Sequence, residues 1–188
     1  METLALVVLF ANFALAWSLP RIFFRKDGRL NRNWALTALP FGVAPVLLVL
    51  AYAGVLSTLP LPAGLQQLLR VGGLALSVGS IALIYWTLRT HETPLSLWHQ
   101  ENDAPASIVT DGPYALMRHP FYTAFLMALA ATMMCSPQVG TILTFAYGVG
   151  VMNSTAAREE ARLAASEFGA EYAAYRDRTP RFIPRGRR

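Results

Sequence analysis

The sequence predicts an all-α integral membrane protein with about five transmembrane helices, a helical hairpin of helices four and five, and a cytoplasmic carboxy-terminal amphipathic helix. Two observations support this fold class. Only 14% of the 188 residues are charged and 54% are hydrophobic, whereas a soluble domain has about 25% charged residues. The charges also gather in a few clusters, and the uncharged runs between them are long enough to cross a bilayer core.

The first predicted span is the run 3–20, which contains no ionisable side chain. At a rise of about 1.5 Å per residue, a helix of this length just crosses a bilayer core. A cleaved signal peptide is the alternative, but it requires a basic start and a small-residue cleavage site. The chain instead begins Met1-Glu2 and stays apolar as far as Pro20, so a membrane helix is the better interpretation.

The next two spans come from one uncharged run, 34–67, which is too long for a single helix. Its proline-containing segment 57–62 divides it into a second helix over 34–56 and a third over 68–88. Helix two contains Pro40 and Pro45, which are tolerated in membranes where neighbouring helices satisfy the carbonyls that prolines free.

The hairpin of helices four and five is predicted over 121–153, with a break at Ser136-Pro137-Gln138. From Thr155 onward the chain is polar and charged. Because there is no internal repeat and no low-complexity linker, we expect one domain over 1–188. Its first part, 1–88, contains three spans, and 89–188 contains the hairpin with its polar flanks.

Basic residues set the predicted orientation. The first loop, 21–32, has five basic residues and one acidic residue, and the tail 176–188 has six arginines, whereas the connections 57–67 and 136–138 have no charge. The positive-inside rule places the first loop and the tail in the cytoplasm and the amino terminus outside, in a multi-pass protein of a bacterial-type inner membrane. This rule explains the pI of 9.8. We therefore infer membrane lipids as partners of the basic segments, and no nucleic acid.

Three segments contain residues suited to chemistry, and none resembles a metal site. The single cysteine, Cys135, and the scattered His91, His99 and His119 lack the spacing of metal ligands, so we predict no metal. In the first segment, a Gly112-Pro113 turn precedes Arg118, His119 and Tyr122 at the predicted rim of helix four. Pro120 is expected to free a carbonyl one turn back, where a polar ligand could bind; the alternative is an interfacial anchor.

The second and third segments follow helix five. Glu159 and Glu160 point about 100° apart on a helix, so one can face the bundle and pair with Arg118 or Arg158, or accept hydrogen bonds from a ligand. The alternative is a solvated helix face. Phe168, Tyr172 and Tyr175 then form an aromatic stripe, which either packs against neighbouring helices or lies in the membrane interface.

Taken in order, these segments resemble the isoprenylcysteine carboxyl methyltransferase family and its phospholipid methyltransferase relatives. The resemblance covers about the last 80 residues, and the first half resembles the family only in hydropathy. It rests on the ordered set Gly112-Pro113-Tyr114, Arg118-His119-Pro120-x-Tyr122, a hairpin, Glu159-Glu160, Phe168-Gly169 with Tyr172 and Tyr175, and Arg181-x-Ile183-Pro184.

The resemblance implies a membrane-embedded methyltransferase that binds S-adenosylmethionine from the cytosol, in the half 89–188, and receives a lipophilic acceptor from the bilayer. It implies catalytic roles for Arg158 and Glu160, with Arg158 holding or polarising the acceptor. The implied cofactor-binding residues are Gly112, Tyr114, Arg118, His119, Pro120, Tyr122, Glu159, Glu160 and Tyr172. The chain departs from the family pattern in two places. Ala124 stands where glycine is common, and the interval from Glu160 to Phe168-Gly169 is about one residue longer than in the family.

The acceptor could be a carboxylate, a thiol or an amine, and the sequence predicts no oligomeric state. One alternative is a membrane-bound NADPH-dependent reductase of the sterol reductase type. That family typically has asparagine at the position of Phe121 and an Arg-Asp pair in place of Glu159-Glu160. A second alternative is a non-enzymatic membrane protein or transporter, which would place ionisable residues within the spans; the predicted spans have essentially none.

Overall fold

The computed structural model describes residues 2–19, 32–90 and 108–184, which form α-helices and one 3₁₀ turn, with no strand among them. The all-helical prediction is confirmed. The basic first loop, His91, His99 and the last arginines of the tail lie outside the described residues. The helices are α1 (Glu2–Ser18), α2 (Arg32–Tyr52), α3 (Ala63–Thr90), α4 (Pro120–Cys135), α5 (Val139–Ala164) and α6 (Gly169–Arg178), and the 3₁₀ turn is Gly112–Ala115.

Helix boundaries differ from the prediction where polar residues continue a helix. The third helix begins at Ala63 and ends at Thr90, several residues outside 68–88, because glutamine and arginine are good helix formers that a hydropathy boundary excludes. In the same way α5 continues to Ala164, about 39 Å in all. Glu159 and Glu160 therefore lie on its last turns, about two turns beyond the end of the predicted span at Asn153.

Two of the described helices, α2 and α3, are long and apolar enough to cross a bilayer, and α1 and α4 are shorter apolar helices. The five-span topology therefore stays a prediction. The break between helices four and five is confirmed, since α4 ends at Cys135 and α5 begins at Val139.

We expect a cysteine at position 60, introduced into a Cys135→Ser background, to react with a membrane-impermeant thiol reagent from outside the cell only. Pro60 is exposed in the connection between α2 and α3, on the side that the positive-inside rule places outside. Glu167→Cys, in the exposed turn after α5, is the matched cytoplasmic control. Labelling of position 60 from the cytoplasmic side would overturn this topology.

The helix α4 lies at the centre of the bundle, where it contacts α1, α2, α3 and α5. Its buried residues Phe121, Phe125 and Leu129 belong to the main hydrophobic cluster. It packs closely on α3 at Gly73, where an added Cβ would lie 2.9 Å from the carbonyl oxygen of Ala131 and 2.6 Å from the Cys135 sulfur. Small residues permit such contacts between membrane helices.

Replacing Gly73 by alanine is therefore expected to lower the free energy of unfolding by about 1–3 kcal/mol, the usual cost of overpacking. The backbone oxygen of Ala131 cannot move aside as a flexible side chain could. Gly150→Ala in α5 is the control, because nothing lies within 4 Å of its added Cβ. Thermal unfolding in detergent would measure both, and equal stability of the two variants would contradict close α3–α4 packing at Gly73.

The two prolines of α2 each free one carbonyl oxygen, and side chains of other helices satisfy both. Pro45 leaves the Phe41 oxygen without its helical donor, and the indole nitrogen of Trp17 in α1 donates to it at 3.1 Å. Pro40 does the same to Leu36, whose oxygen accepts a hydrogen bond from the Tyr147 hydroxyl of α5 at 3.0 Å. The expectation that neighbouring helices would satisfy these carbonyls is confirmed.

A buried polar network joins α1, α3 and α4 close to the departure at Ala124. The Ser80 hydroxyl lies 2.7 Å from the Ala124 carbonyl oxygen and 3.2 Å from Oδ1 of Asn12, while the Asn12 amide donates to Ser77. Ala124 itself is fully buried. Its methyl group is accommodated, and α4 is tied to α3 through its backbone at this level.

Candidate active site

A four-residue linker, 116–119, joins the 3₁₀ turn to α4 and places Arg118 and His119 at the helix end. Gly112 has φ of 57°, in the left-handed region that favours glycine, and an added Cβ would overlap the Thr90 side chain of α3. The helix α4 begins at Pro120 itself. The expectation that Pro120 frees a carbonyl is therefore wrong, because a proline at the first helical position interrupts no intrahelical hydrogen bond.

The carboxylate of Glu160 is the centre of the site. Glu160 is 7% exposed, and its two oxygens accept hydrogen bonds from three side chains, those of Arg118 and His119 in the linker and of Arg181 in the segment after α6. Arg118 donates through Nε at 3.2 Å and Nη2 at 2.9 Å, and Arg181 through Nε at 2.9 Å and Nη2 at 2.7 Å. Nε2 of His119 lies 3.1 Å from Oε1. The structure thus joins α4, α5 and the carboxy-terminal segment through one buried anion.

The segment 179–184, here called the strap, follows α6 and pairs with the 116–119 linker. The backbone nitrogens of Arg118 and His119 donate to the carbonyls of residues 180 and 181 at 2.9 and 3.1 Å. The Arg118 guanidinium also donates to the carbonyls of Arg176 and Thr179. Because both backbone and side chain contribute, the strap holds Arg118 in a fixed orientation.

Glu159 makes a separate contact on the same helix. Its Oε1 accepts a hydrogen bond from the Tyr122 hydroxyl at 2.5 Å, and its Oε2 lies 3.6 Å from Nδ1 of His119. The rings of His119 and Tyr122 stack with centroids 5.4 Å apart, and Phe182 of the strap lies 6.0 Å from His119. The Glu159 side chain is 26% exposed. Glu159 is therefore partly exposed beside a group of aromatic rings.

The electrostatics of Glu160 follow from its partners. Burial acts to raise the pKa of the Glu160 carboxyl, but hydrogen bonds from His119, Arg181 and Arg118 outweigh burial and hold that pKa well below its ordinary value. The hydrogen bond to Glu160 in turn raises the pKa of Arg181. Burial raises the pKa of Tyr172 to about 12, and the nearby charge of Glu160 acts in the same direction. All three groups keep their ordinary charge states at neutral pH.

The other residues named from the sequence lie around this centre at different distances. Tyr172 and Tyr175 of the aromatic stripe are buried, and the Tyr175 hydroxyl donates to the Tyr114 carbonyl at 2.7 Å, so the stripe packs inward. The side chain of Arg158 is exposed, and its guanidinium donates to Thr155, one turn back on the same helix. The structure thus does not bring Arg158 to Glu160.

Sequence reasoning did not name Arg181 and Asn153 as site residues. Arg181 binds Glu160 and also donates to the Asn153 amide oxygen at 2.6 Å. The ordered motif set contained Arg181 but offered no role for it. Asn153 had one available signal, since it is the only amide in the second half of the hairpin.

Comparisons with known proteins identify the relatives of this region. Residues 73–165 match the isoprenylcysteine carboxyl methyltransferase (ICMT) family, which confirms the resemblance for the linker and the paired glutamates. Tyr172 and Arg181 lie beyond the match. The cobalt-zinc-cadmium resistance protein CzcN of Cupriavidus metallidurans is 35% identical over 79 residues, 42% of this chain and 36% of that relative. The chain thus spans little more than a third of this curated relative's length. No solved structure matches.

Proposed function

We propose that this chain, whose residues 73–165 match the isoprenylcysteine carboxyl methyltransferase family, catalyses methyl transfer from S-adenosylmethionine to a lipophilic acceptor. The observation that supports this most directly is the pair of adjacent carboxylates in different environments. Glu160 is neutralised by two guanidinium groups, whereas Glu159 lies half-buried against Tyr122 and His119. A carboxylate beside aromatic rings suits a ligand that has both a cationic group and a flat base.

The two glutamates would then have different roles. Glu160 holds Arg118, His119 and the strap together, and it has few lone pairs left for a ligand. Glu159 is partly exposed and would bind the cationic part of S-adenosylmethionine, with the stacked His119 and Tyr122 rings beside it. We thus propose Glu159 as the glutamate that faces the ligand, a choice that the helical register alone left open.

The geometry also suits the reaction. The cofactor would supply a methyl group on a positively charged sulfur, which a nucleophile displaces in line. Such a displacement depends on alignment and on exclusion of water more than on a strong acid or base. Positioning can supply roughly 7–11 kcal/mol of the barrier. The aromatic walls and the strap exclude water. An amine acceptor must lose a proton, which Glu159 or His119 could take, whereas a carboxylate or a thiolate needs no base.

We further propose where the site and its acceptor lie relative to the membrane and its lipids. The site lies about two turns beyond the predicted span of α5, so we place it at the cytoplasmic edge of a bacterial-type inner membrane, with the amino terminus outside. An amphiphile could present its headgroup there while its tail stays in the bilayer. Arg158 is exposed beside this edge and stays a candidate for contacting the acceptor.

Calorimetry on the detergent-purified chain tests the proposed function, with S-adenosylmethionine as ligand and NADPH as control. Saturable binding of S-adenosylmethionine without binding of NADPH supports methyl transfer. Binding of NADPH alone would favour the reductase alternative, which the sequence disfavours at Phe121 and Glu159-Glu160. Binding of neither ligand would leave a non-enzymatic membrane protein.

A further inference from the structure

We propose that Arg181 and Asn153 form a binding subsite for an anionic oxygen group of an amphiphile at the membrane edge of the site. The first observation is an imbalance of charge. Arg118 and Arg181 share the single carboxylate of Glu160, so two cations face one anion. Glu159, the next carboxylate, points to Tyr122 and His119 instead. Arg118, Arg181 and Glu160 therefore carry a net charge of +1, and within the described residues Glu159 contacts the other ring nitrogen of His119 rather than a guanidinium.

The surplus charge lies at Arg181. The Arg118 side chain is 10% exposed, and the backbone carbonyls of residues 176 and 179 accept hydrogen bonds from its Nη1. The Arg181 side chain is 31% exposed. A guanidinium has five N–H donors, and the contacts of Arg181 within the described residues use Nε, Nη2 and Nη1 once each. One N–H group on Nη1 and one on Nη2 thus have no acceptor among the described residues and remain for the oxygens of a carboxylate or a phosphate.

The position of the pair indicates an amphiphile rather than a freely soluble anion. Asn153 is the last residue of the predicted span of α5, and its exposed side chain holds the outer edge of the Arg181 guanidinium. The strap continues from Arg181 into Phe182, which packs on the core cluster, and Ile183, which is 78% exposed. A headgroup bound to Arg181 would therefore have apolar protein and bilayer beside it for its tail.

The inference that this headgroup belongs to the molecule that accepts the methyl group rests on the proposed function. For a carboxylate acceptor the chemistry then balances without a base. An oxygen lone pair forms the new O–CH3 bond as the S–CH3 bond breaks, and the bonding pair returns to sulfur, which becomes a neutral thioether. No proton is released. A phosphate held at the same subsite would instead position a phospholipid whose reacting group lies elsewhere.

The test measures binding of three amphiphiles that share one tail: dodecanoate, dodecyl phosphate and dodecylamine. Each is titrated by calorimetry into the purified full chain in a neutral maltoside detergent, with S-adenosylmethionine titrated separately. We expect one of the two anions to bind at least tenfold tighter than the amine, and the tighter one identifies carboxylate or phosphate as the ligand. Equal binding of all three would overturn the subsite.

Asn153→Asp is the informative variant, because its new carboxylate would neutralise Arg181 while the chain keeps the Arg181–Glu160 pair. It should reduce anion affinity about tenfold or more through like-charge repulsion. The control is Ser154→Asp, which adds the same charge at the next exposed position, about 100° around the helix, and should change affinity less than threefold. Equal loss in both variants would mean that general charge attracts the amphiphile.

The remaining outcomes separate this inference from the proposed function. If Asn153→Asp weakened S-adenosylmethionine binding and left anion binding unchanged, Arg181 would hold the cofactor, and the subsite would be wrong. If the wild type bound an anion with the expected preference but neither bound S-adenosylmethionine nor transferred a methyl group, the proposed function would fail while the subsite stood.

Discussion

Replacing Glu160 by glutamine is expected to lower the free energy of unfolding by about 3 kcal/mol, the usual cost of removing one partner from a buried ion pair. The amide cannot neutralise Arg118 and Arg181, and its NH2 group would face at least one of the N–H donors that now bind the carboxylate. The cofactor affinity should fall about 10- to 150-fold, because Glu160 positions His119 and the strap beside the proposed cofactor site, and loss of one charged hydrogen bond costs roughly 1.5–3 kcal/mol. Thermal unfolding and calorimetry on the same preparation measure the two effects.

Glu171→Gln is the matched control for this variant. Glu171 lies on α6, also on the predicted cytoplasmic side, and its side chain is exposed, so its loss should change stability by less than about 0.5 kcal/mol. Equal effects of Glu160→Gln and Glu171→Gln would contradict the ion-pair centre described here. A Glu159→Gln variant should lose cofactor affinity with little loss of stability, since its contacts are with Tyr122 and His119.

We expect the free energy of unfolding to depend on pH through the carboxylate of Glu160. Because its partners hold the folded-state pKa of Glu160 well below the ordinary value of 4.5, its ionised form stabilises the fold fully above about pH 4.5. That stabilisation is lost as the pH falls from there through the folded-state pKa. In Glu160→Gln this component of acid destabilisation should be absent.

His119→Ala should abolish measurable S-adenosylmethionine binding while leaving the fold intact. The imidazole touches both carboxylates and stacks on Tyr122, so its loss removes a wall of the proposed cofactor site. The tie between α4, α5 and the strap survives, because Arg118 and Arg181 still bind Glu160 and the backbone hydrogen bonds to the strap remain. A fall in affinity of at least about 100-fold corresponds to roughly 2.7 kcal/mol.

Thermal unfolding of His119→Ala supplies the control for that measurement. A midpoint close to wild type together with lost binding would assign His119 to the ligand site. Cofactor affinity equal to wild type would mean that His119 is only an interfacial anchor, the alternative that the sequence left open.

The sequence was sufficient to predict an all-helical chain with long apolar helices, because the lengths of apolar runs and the clustering of charges are local properties of the chain. The positions of the hairpin break and of the α2 prolines followed from the same reasoning. The contact of Glu160 with Arg118 was also foreseen, since a hairpin brings its two open ends together and the register of α5 allows one glutamate to face inward.

Long-range contacts explain what the sequence did not reveal. Arg181 reaches Glu160 only because α6 turns the chain back over the end of α4, and no periodicity encodes that turn. Arg158 was one of the two arginines that the inward glutamate could bind, yet Arg158 and Glu160 lie two positions apart, which turns their side chains about 200° from each other on a helix. The start of α4 depended on whether the linker 116–119 would be helical, and its pairing with the strap prevented that.

The donors to the two proline-freed carbonyls of α2 are synthesised at different times. Trp17 precedes Phe41 by 24 residues, so the donor for the deeper carbonyl already exists when α2 leaves the ribosome. Tyr147 follows Leu36 by 111 residues, a delay of roughly 5–20 s at ordinary elongation rates. Leu36 lies about one turn from the start of α2, where interfacial water can serve as a temporary donor until α5 is inserted. The carbonyl deeper in α2 thus has its donor before the helix is made, whereas the carbonyl near the start of α2 acquires its donor later.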